Sequence, residues 1–162
     1  MELPVELQVT RKFRAAKVAV VRIDGQLLLL RRSKHDERRP GELDFPGGEV
    51  LVQEGETDEA AARRETIEEA NLNLGNAALV PLCEVSRVED RGDEVVEVSQ
   101  IIFRAIVDHD EALRLVIGDE HDEGGWHSLD DAREKLREHH VKGMAVAIMQ
   151  DQIAAGELAI AC

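Results

Sequence analysis

Three glutamates, Glu65, Glu68 and Glu69, stand at spacings i, i+3 and i+4 within TDEAAARRETIEEA. On a helix advancing about 100° per residue, that set spans less than a third of the circumference. Like charges held so close destabilise a helix unless something neutralises them. A hard divalent cation would do so. Magnesium prefers oxygen ligands, keeps several waters and commonly bridges to substrate phosphates. The same pattern also fits a solvated acidic face that binds nothing. Arg64, four residues before Glu68, lies beside the carboxylate stripe. Ala60, Ile67 and Ala70 fall on the opposite side and are expected to pack on a sheet.

Upstream lie Phe45-Pro46-Gly47-Gly48 and Glu54-Gly55-Glu56. Glycines after a strand let the backbone approach a ligand closely. Gly48, Glu56, Arg64, Glu65, Glu68 and Glu69 together resemble the Nudix box of the Nudix (MutT-like) hydrolases. Its pattern is G-x5-E-x7-R-E-U-x-E-E-x-G-U, with U an aliphatic residue. From Glu56 onward the spacing matches, and the preceding FPGG is common in that family. Two departures stand out. Seven residues separate Gly48 from Glu56, two more than the pattern has, and Asn71 replaces the box glycine. Asn is the residue after glycine that best tolerates a left-handed helix end, so Asn71 is expected to be a C-cap.

The resemblance implies an α/β fold, a Nudix-type α/β/α sandwich with a mixed β-sheet. It implies hydrolysis of a pyrophosphate linkage in a nucleoside diphosphate joined to another group, with Mg2+ or Mn2+ as cofactor. Carried over residue by residue, Glu65, Glu68, Glu69 and the Gly48 carbonyl are the expected metal ligands. Glu65 is either a ligand or the base. Arg64 is expected to orient a carboxylate, and Glu56 either to pair with Arg64 or to lie in the outer shell of the site. Some members take the base from a later loop, for which Glu120 is the candidate and Glu123 the second. Arg31, Arg32 and Arg38 are the candidate substrate contacts, since arginine's fork suits phosphate oxygens. Glu37 and Pro81 do not match the coenzyme A and ADP-ribose subgroups, so neither substrate is adopted. The two departures also motivate an alternative, a catalytically inactive Nudix-fold nucleotide-binding or regulatory module.

The elements that must position these residues are readable too. AAKVAVVRIDGQLLLLRR reads as a hairpin around Asp24-Gly25, and residues 79–107 as a longer one around Arg91-Gly92-Asp93. Residues 57–70 read as a helix with Thr57 as N-cap and Asp58 and Glu59 near its positive end. Residues 118–129 read as a polar loop ending in a short strand around Trp126. Helices are expected over 130–140 and 143–156, with His139 and His140 closing the first. Strands, helix, long strands and helices in this order suggest a mixed sheet covered on both faces.

The chain has 162 residues, an apolar fraction of 43% and a formal net charge of -14. It reads as one domain over 1–162. No apolar run approaches the roughly 20 residues of a membrane span, and MELPVELQVT lacks the pattern of a signal peptide. Cys83 and Cys162 form no disulfide framework, which suggests a reducing, cytoplasmic setting. The net charge argues against gripping a nucleic acid polymer by its backbone. Residues 11–39, however, hold ten of the 20 basic residues and three acids. That asymmetry suits a small anionic nucleotide between a basic wall and a metal-loaded acidic one. Phe13 and Trp126 are the rings considered for stacking a base. The apolar strands and final helix permit a homodimer.

Overall fold

The computed structural model describes residues 8–160. Most of the N-terminal stretch read for a leader, and Cys162, lie outside the described residues. The sheet contains β1 (Arg11–Arg22), β2 (Leu27–Arg32), β3 (Leu43–Asp44), β4 (Gly47–Glu49), β5 (Val80–Asp90), β6 (Val95–Val107) and β7 (His121–His127). The helices are α1 (Asp58–Ala70), α2 (His109–Ala112), α3 (Leu129–Lys135) and α4 (His140–Ala154), with a 3-10 turn at Val52–Glu54.

β1 runs parallel to β6 over its whole length and antiparallel to β2, while β5 and β6 form the second hairpin. The sheet is therefore mixed, as expected. Central strands buried on both faces read as near-continuous apolar runs, and AAKVAVV and IIFRAIV do so. Alternation divides the core in two. Ala16, Val18, Val20, Leu28 and Leu30 pack with Ala61, Ala62 and Ala70 of α1. Ala19, Val21, Leu27 and Leu29 pack with Leu136 of the α3–α4 link and with Val146 and Met149 of α4. The outcome is the expected α/β/α sandwich.

The first hairpin turns at Asp24-Gly25, where Gly25 has φ +92 and donates to the Arg22 carbonyl. Beyond that turn β1 and β2 part. β3 pairs with β2 at Leu30 and Arg31, and β4 pairs with β1 at Ala15 to Lys17. The segment 43–49 thus fills the opening between the two strands and brings Gly47-Gly48 to the middle of β1.

Three expectations need correction. The loop expected from residue 118 is a strand from His121 onward, because Leu27 to Arg32 offer it a paired edge. The helix expected over 130–140 stops at Lys135, so His139 is the N-cap of α4 and not the end of a helix. Its imidazole nitrogen lies 3.0 Å from Glu42. On α1 the packed residues are Ala61, Ala62, Thr66, Glu69 and Ala70, whereas Ala60 is exposed and Ile67 is 48% exposed. The packed face is rotated by about a third of a turn from the expected one. The carboxylate stripe borders the core instead of opposing it.

Candidate active site

The stripe borders the core because α1 must meet β4, and glycines make that possible. A Cβ on Gly47 would strike the backbone of Ala16 and Lys17, and one on Gly48 would lie 2.6 Å from the Glu65 carboxyl carbon. With no side chain there, Glu65 lies against Gly48, and the Gly47 N–H donates to Glu69 at 3.1 Å. Thr57 caps the start of α1 by accepting from the Ala60 N–H. Asn71 ends it in the left-handed region at φ 57, its N–H on the Ile67 carbonyl and its side-chain amide on the Arg114 carbonyl. That is the C-cap expected.

The loop with two extra residues folds back on itself. Val52–Glu54 form the 3-10 turn, and Leu51 and Glu56 exchange hydrogen bonds through the Leu51 N–H to the Glu56 carboxylate and the Glu56 N–H to the Leu51 carbonyl. Glu56 still reaches Arg64 through both oxygens, at 2.9 and 3.0 Å. Arg64 also donates to Glu65 at 2.8 Å and to the Glu49 carbonyl at 3.0 Å. It therefore ties the helix to the end of β4 and holds one carboxylate in place. The Arg64 fork and the Leu51 N–H hold the Glu56 carboxyl down at about 2.

The three stripe carboxylates differ in surroundings. Glu69 is 7% exposed, and burial pushes its carboxyl up to about 8 against the pull of Lys17 and the Gly47 N–H. Half-burial also raises Glu65, with Arg64 opposing. The Glu68 side chain is 57% exposed and lies 3.6 Å from Arg64. Arg64 faces both Glu65 and Glu68 while the Gly47 N–H holds Glu69, and among the described residues no three such groups already gather at metal-binding distance. The donor set nevertheless fits a hard cation. It is all oxygen, it comes from neighbouring positions on one helix, and its raised carboxyls are what an opposite charge would ionise.

The segment after α2 closes on the C-terminal end of α1. The Val116 and Gly118 N–H groups donate to the Ala70 and Glu69 carbonyls, and a Cβ on Gly118 would lie 2.8 Å from the Glu68 carbonyl. This close approach delivers Asp119 and Glu120 to the cleft beside the stripe. Glu123 does not line it, being paired with Arg31 at 2.7 Å.

The cleft has a volume of about 710 Å3. Gly48, Glu65, Glu68, Glu69 and Glu120 line one end, while Arg32 and Arg38 belong to its walls. Arg31 is not brought there, since Glu123 and the Gly41 carbonyl hold its guanidinium. Arg32 is engaged by Asp36 and Asp44. Phe13 lines the cleft, whereas Trp126 packs on the core beneath Arg22, 5.5 Å from its guanidinium carbon.

Sequence reasoning missed Lys17, Asp44, Arg87 and Arg91. Asp44 is 0% exposed, with Lys17 at 2.7 Å, Arg32 at 3.3 Å and Lys142 of α4 at 3.5 Å. Burial alone would raise its carboxyl, but the surrounding cations, Lys17 and then Lys142 foremost, win and hold it well below the usual range. The available signal was a lone lysine inside the apolar run AAKVAVV, which needs a buried partner.

A NUDIX domain model matches residues 11–147. No curated protein matches the chain in sequence. Among solved structures, a C. elegans Ap4A hydrolase binary complex is similar at 22% identity and a TM-score of 0.67, over 88% of this chain and 98% of that one. A MutT protein from Methanosarcina mazei Go1 is similar at 22% and 0.65, over 87% and 95%. A MutT NUDIX hydrolase from Burkholderia pseudomallei is similar at 29% and 0.58, over 74% and 85%. These likenesses concern the fold.

Proposed function

Because the chain belongs to the Nudix family of pyrophosphohydrolases, we propose that it uses Mg2+ or Mn2+ to cleave the pyrophosphate linkage of a nucleoside diphosphate joined to another group. The observation that carries this reading is the pinned arrangement of Arg64. It holds Glu56, Glu65 and the Glu49 carbonyl at once, while Gly48 leaves room for Glu65. The extra loop residues and Asn71, which motivated a non-catalytic module, leave both features in place.

Glu65, Glu68, Glu69 and the Gly48 carbonyl are the groups that would hold the cation. When bound, it would stabilise the negative charge that develops on the phosphate oxygens. Glu120 stands at the same end of the cleft and has no side-chain ion pair among the described residues, which suits the base that takes a proton from water. Arg64 acts through Glu65, fixing its orientation. The Gly47 N–H does the same for Glu69. Arg32 and Arg38 would orient the substrate phosphates. The reading includes a cytoplasmic setting, supported by a composition with two cysteines. Among the described residues no helix is long and apolar enough to cross a membrane.

The test is a panel of nucleoside triphosphates, dinucleoside polyphosphates, ADP-ribose and nucleotide sugars assayed with Mg2+ and with Mn2+. Metal-dependent turnover on one class is expected. In Glu68→Gln and Glu69→Gln it should fall at least about 100-fold, the scale of losing a transition-state charge contact, with the unfolding transition retained. No metal-dependent turnover across the panel would defeat the proposal.

A further inference from the structure

Glu120 is exposed and its side chain has no ion pair among the described residues, so its backbone must aim it. Both flanks of that backbone are fastened. Two residues before Glu120, the Gly118 N–H donates to the Glu69 carbonyl at 3.0 Å, which ties the segment to the end of α1. Two residues after it, the β2–β7 ladder breaks register: Arg31 pairs with Glu123, but Arg32 pairs with His121. Asp122 is the extra residue of a β-bulge, a device that re-aims neighbouring side chains. Unbroken alternation would pair Asp122 with Arg32 and turn it inward, where His121 now lies at 7% exposed. The His121 Nδ1 is buried without a hydrogen-bond partner among the described residues, so that nitrogen does not fix the bulge. The exposed Asp122 carboxylate makes the polar tie instead.

A frayed strand end would leave that carboxylate in solvent. Here it accepts from the Lys34 N–H at 2.9 Å, while the Glu120 carbonyl accepts from the Ser33 N–H at 3.1 Å. Two adjacent amides of the loop after β2 thus hold Glu120 and Asp122 together. Farther along the same loop, Asp36 fastens Arg38 separately. It accepts from the Arg38 and Arg39 N–H groups at 3.0 and 2.8 Å and pairs with Arg32 at 2.7 Å. We infer that Asp122 is a positioning residue, whose carboxylate locks the bulge so that Glu120 points toward the glutamate stripe. The arginine wall does not depend on this lock, because Asp36 holds it. The inference deepens the proposed hydrolase reading and rests on it for the role of Glu120 as base.

The experiment compares Asp122→Ala and Asp122→Asn with the full wild-type chain, each also in a Glu120→Gln background, with Mg2+ and the nucleotide that the panel identifies. In Asp122→Ala kcat should fall about tenfold, part of what a general base contributes. KM should stay within about twofold, because Arg38 keeps its place. Asp122→Asn keeps an oxygen for the Lys34 N–H and should restore kcat to within about twofold of wild type. In the Glu120→Gln background the alanine change should alter kcat by less than about twofold, since residues that act through one another are not additive. A loss of kcat that persists in that background, a loss carried by KM alone, or wild-type kcat in Asp122→Ala overturns the inference. Amide exchange on the substrate-free chain needs no turnover. The Ser33 and Lys34 amides should exchange about tenfold faster in Asp122→Ala, the scale of one hydrogen bond, and unchanged protection there overturns the lock. The two readings therefore fail separately: absence of turnover in the wild type defeats the reaction, and exchange then decides the lock by itself.

Discussion

Replacing Asp44 by asparagine tests whether the floor of the cleft is held by charge. The change preserves shape and leaves an oxygen to accept the Phe45 N–H, which bonds Asp44 at 2.8 Å. It removes the negative charge that Lys17, Arg32 and Lys142 surround. Lys142 keeps Glu42 at 3.0 Å and the Leu43 carbonyl at 2.7 Å, and Arg32 keeps Asp36. Lys17, 5% exposed, has no other ion pair among the described residues. Leaving one buried charge without its partner costs about 3–5 kcal/mol. For a domain of this size that is roughly 6–20 °C in unfolding midpoint. The sign with pH follows from the direction of the shift. The folded Asp44 carboxyl is held below its unfolded value. Its stabilisation is therefore complete above the unfolded pKa of about 4 and is lost as pH falls from there through the folded value. Denaturant unfolding of the wild type and the asparagine variant, from pH 7 to pH 2.5, measures the gap directly. The gap should be widest at pH 7 and narrow below about pH 4. A gap under about 1 kcal/mol at pH 7, the scale of an exposed pair, would refute the reasoning. So would a gap that does not change with pH.

Two further predictions concern the frame of the site. In Gly48→Ala the new Cβ would lie 2.6 Å from the Glu65 carboxyl carbon and push that carboxylate off its position on Arg64. Turnover measured with Mg2+ should fall about 100-fold, the scale of a 1 Å misplacement, while thermal unfolding shifts little; wild-type turnover would contradict it. Asn71→Ala keeps a side chain at φ 57 and loses the amide bond to the Arg114 carbonyl. It should cost about 1–2 kcal/mol, and Asn71→Gly distinctly less, as urea titration of the two variants would show.

Much of this molecule is written in short segments. The Asp24-Gly25 turn, the Thr57 cap, the left-handed Asn71 and the glutamate spacing all depend on residues within a turn or two of one another. Local backbone preference and helical periodicity are enough to read them. The β7 strand was partly hidden because HDEGG resembles a loop until the free edge of β2 pairs with it. The packed face of α1 was misread because periodicity finds where apolar residues lie. It does not show that two glycines on another strand let a glutamate turn inward while Ile67 stays in solvent.

The sequence by itself determined the family, the main hairpins and the helix that carries Glu65, Glu68 and Glu69, since each follows from residue type at fixed spacing. Only the tertiary structure decided which charges meet. Arg31 and Arg87 look alike as residues, yet the sheet pairs one with Glu123 outside the cleft and turns the other into it. Lys17, Asp44 and Lys142 are separated by most of the chain and join only where β1, β3 and α4 come together. Charges select partners by distance and burial, and a linear sequence encodes neither until the chain has folded.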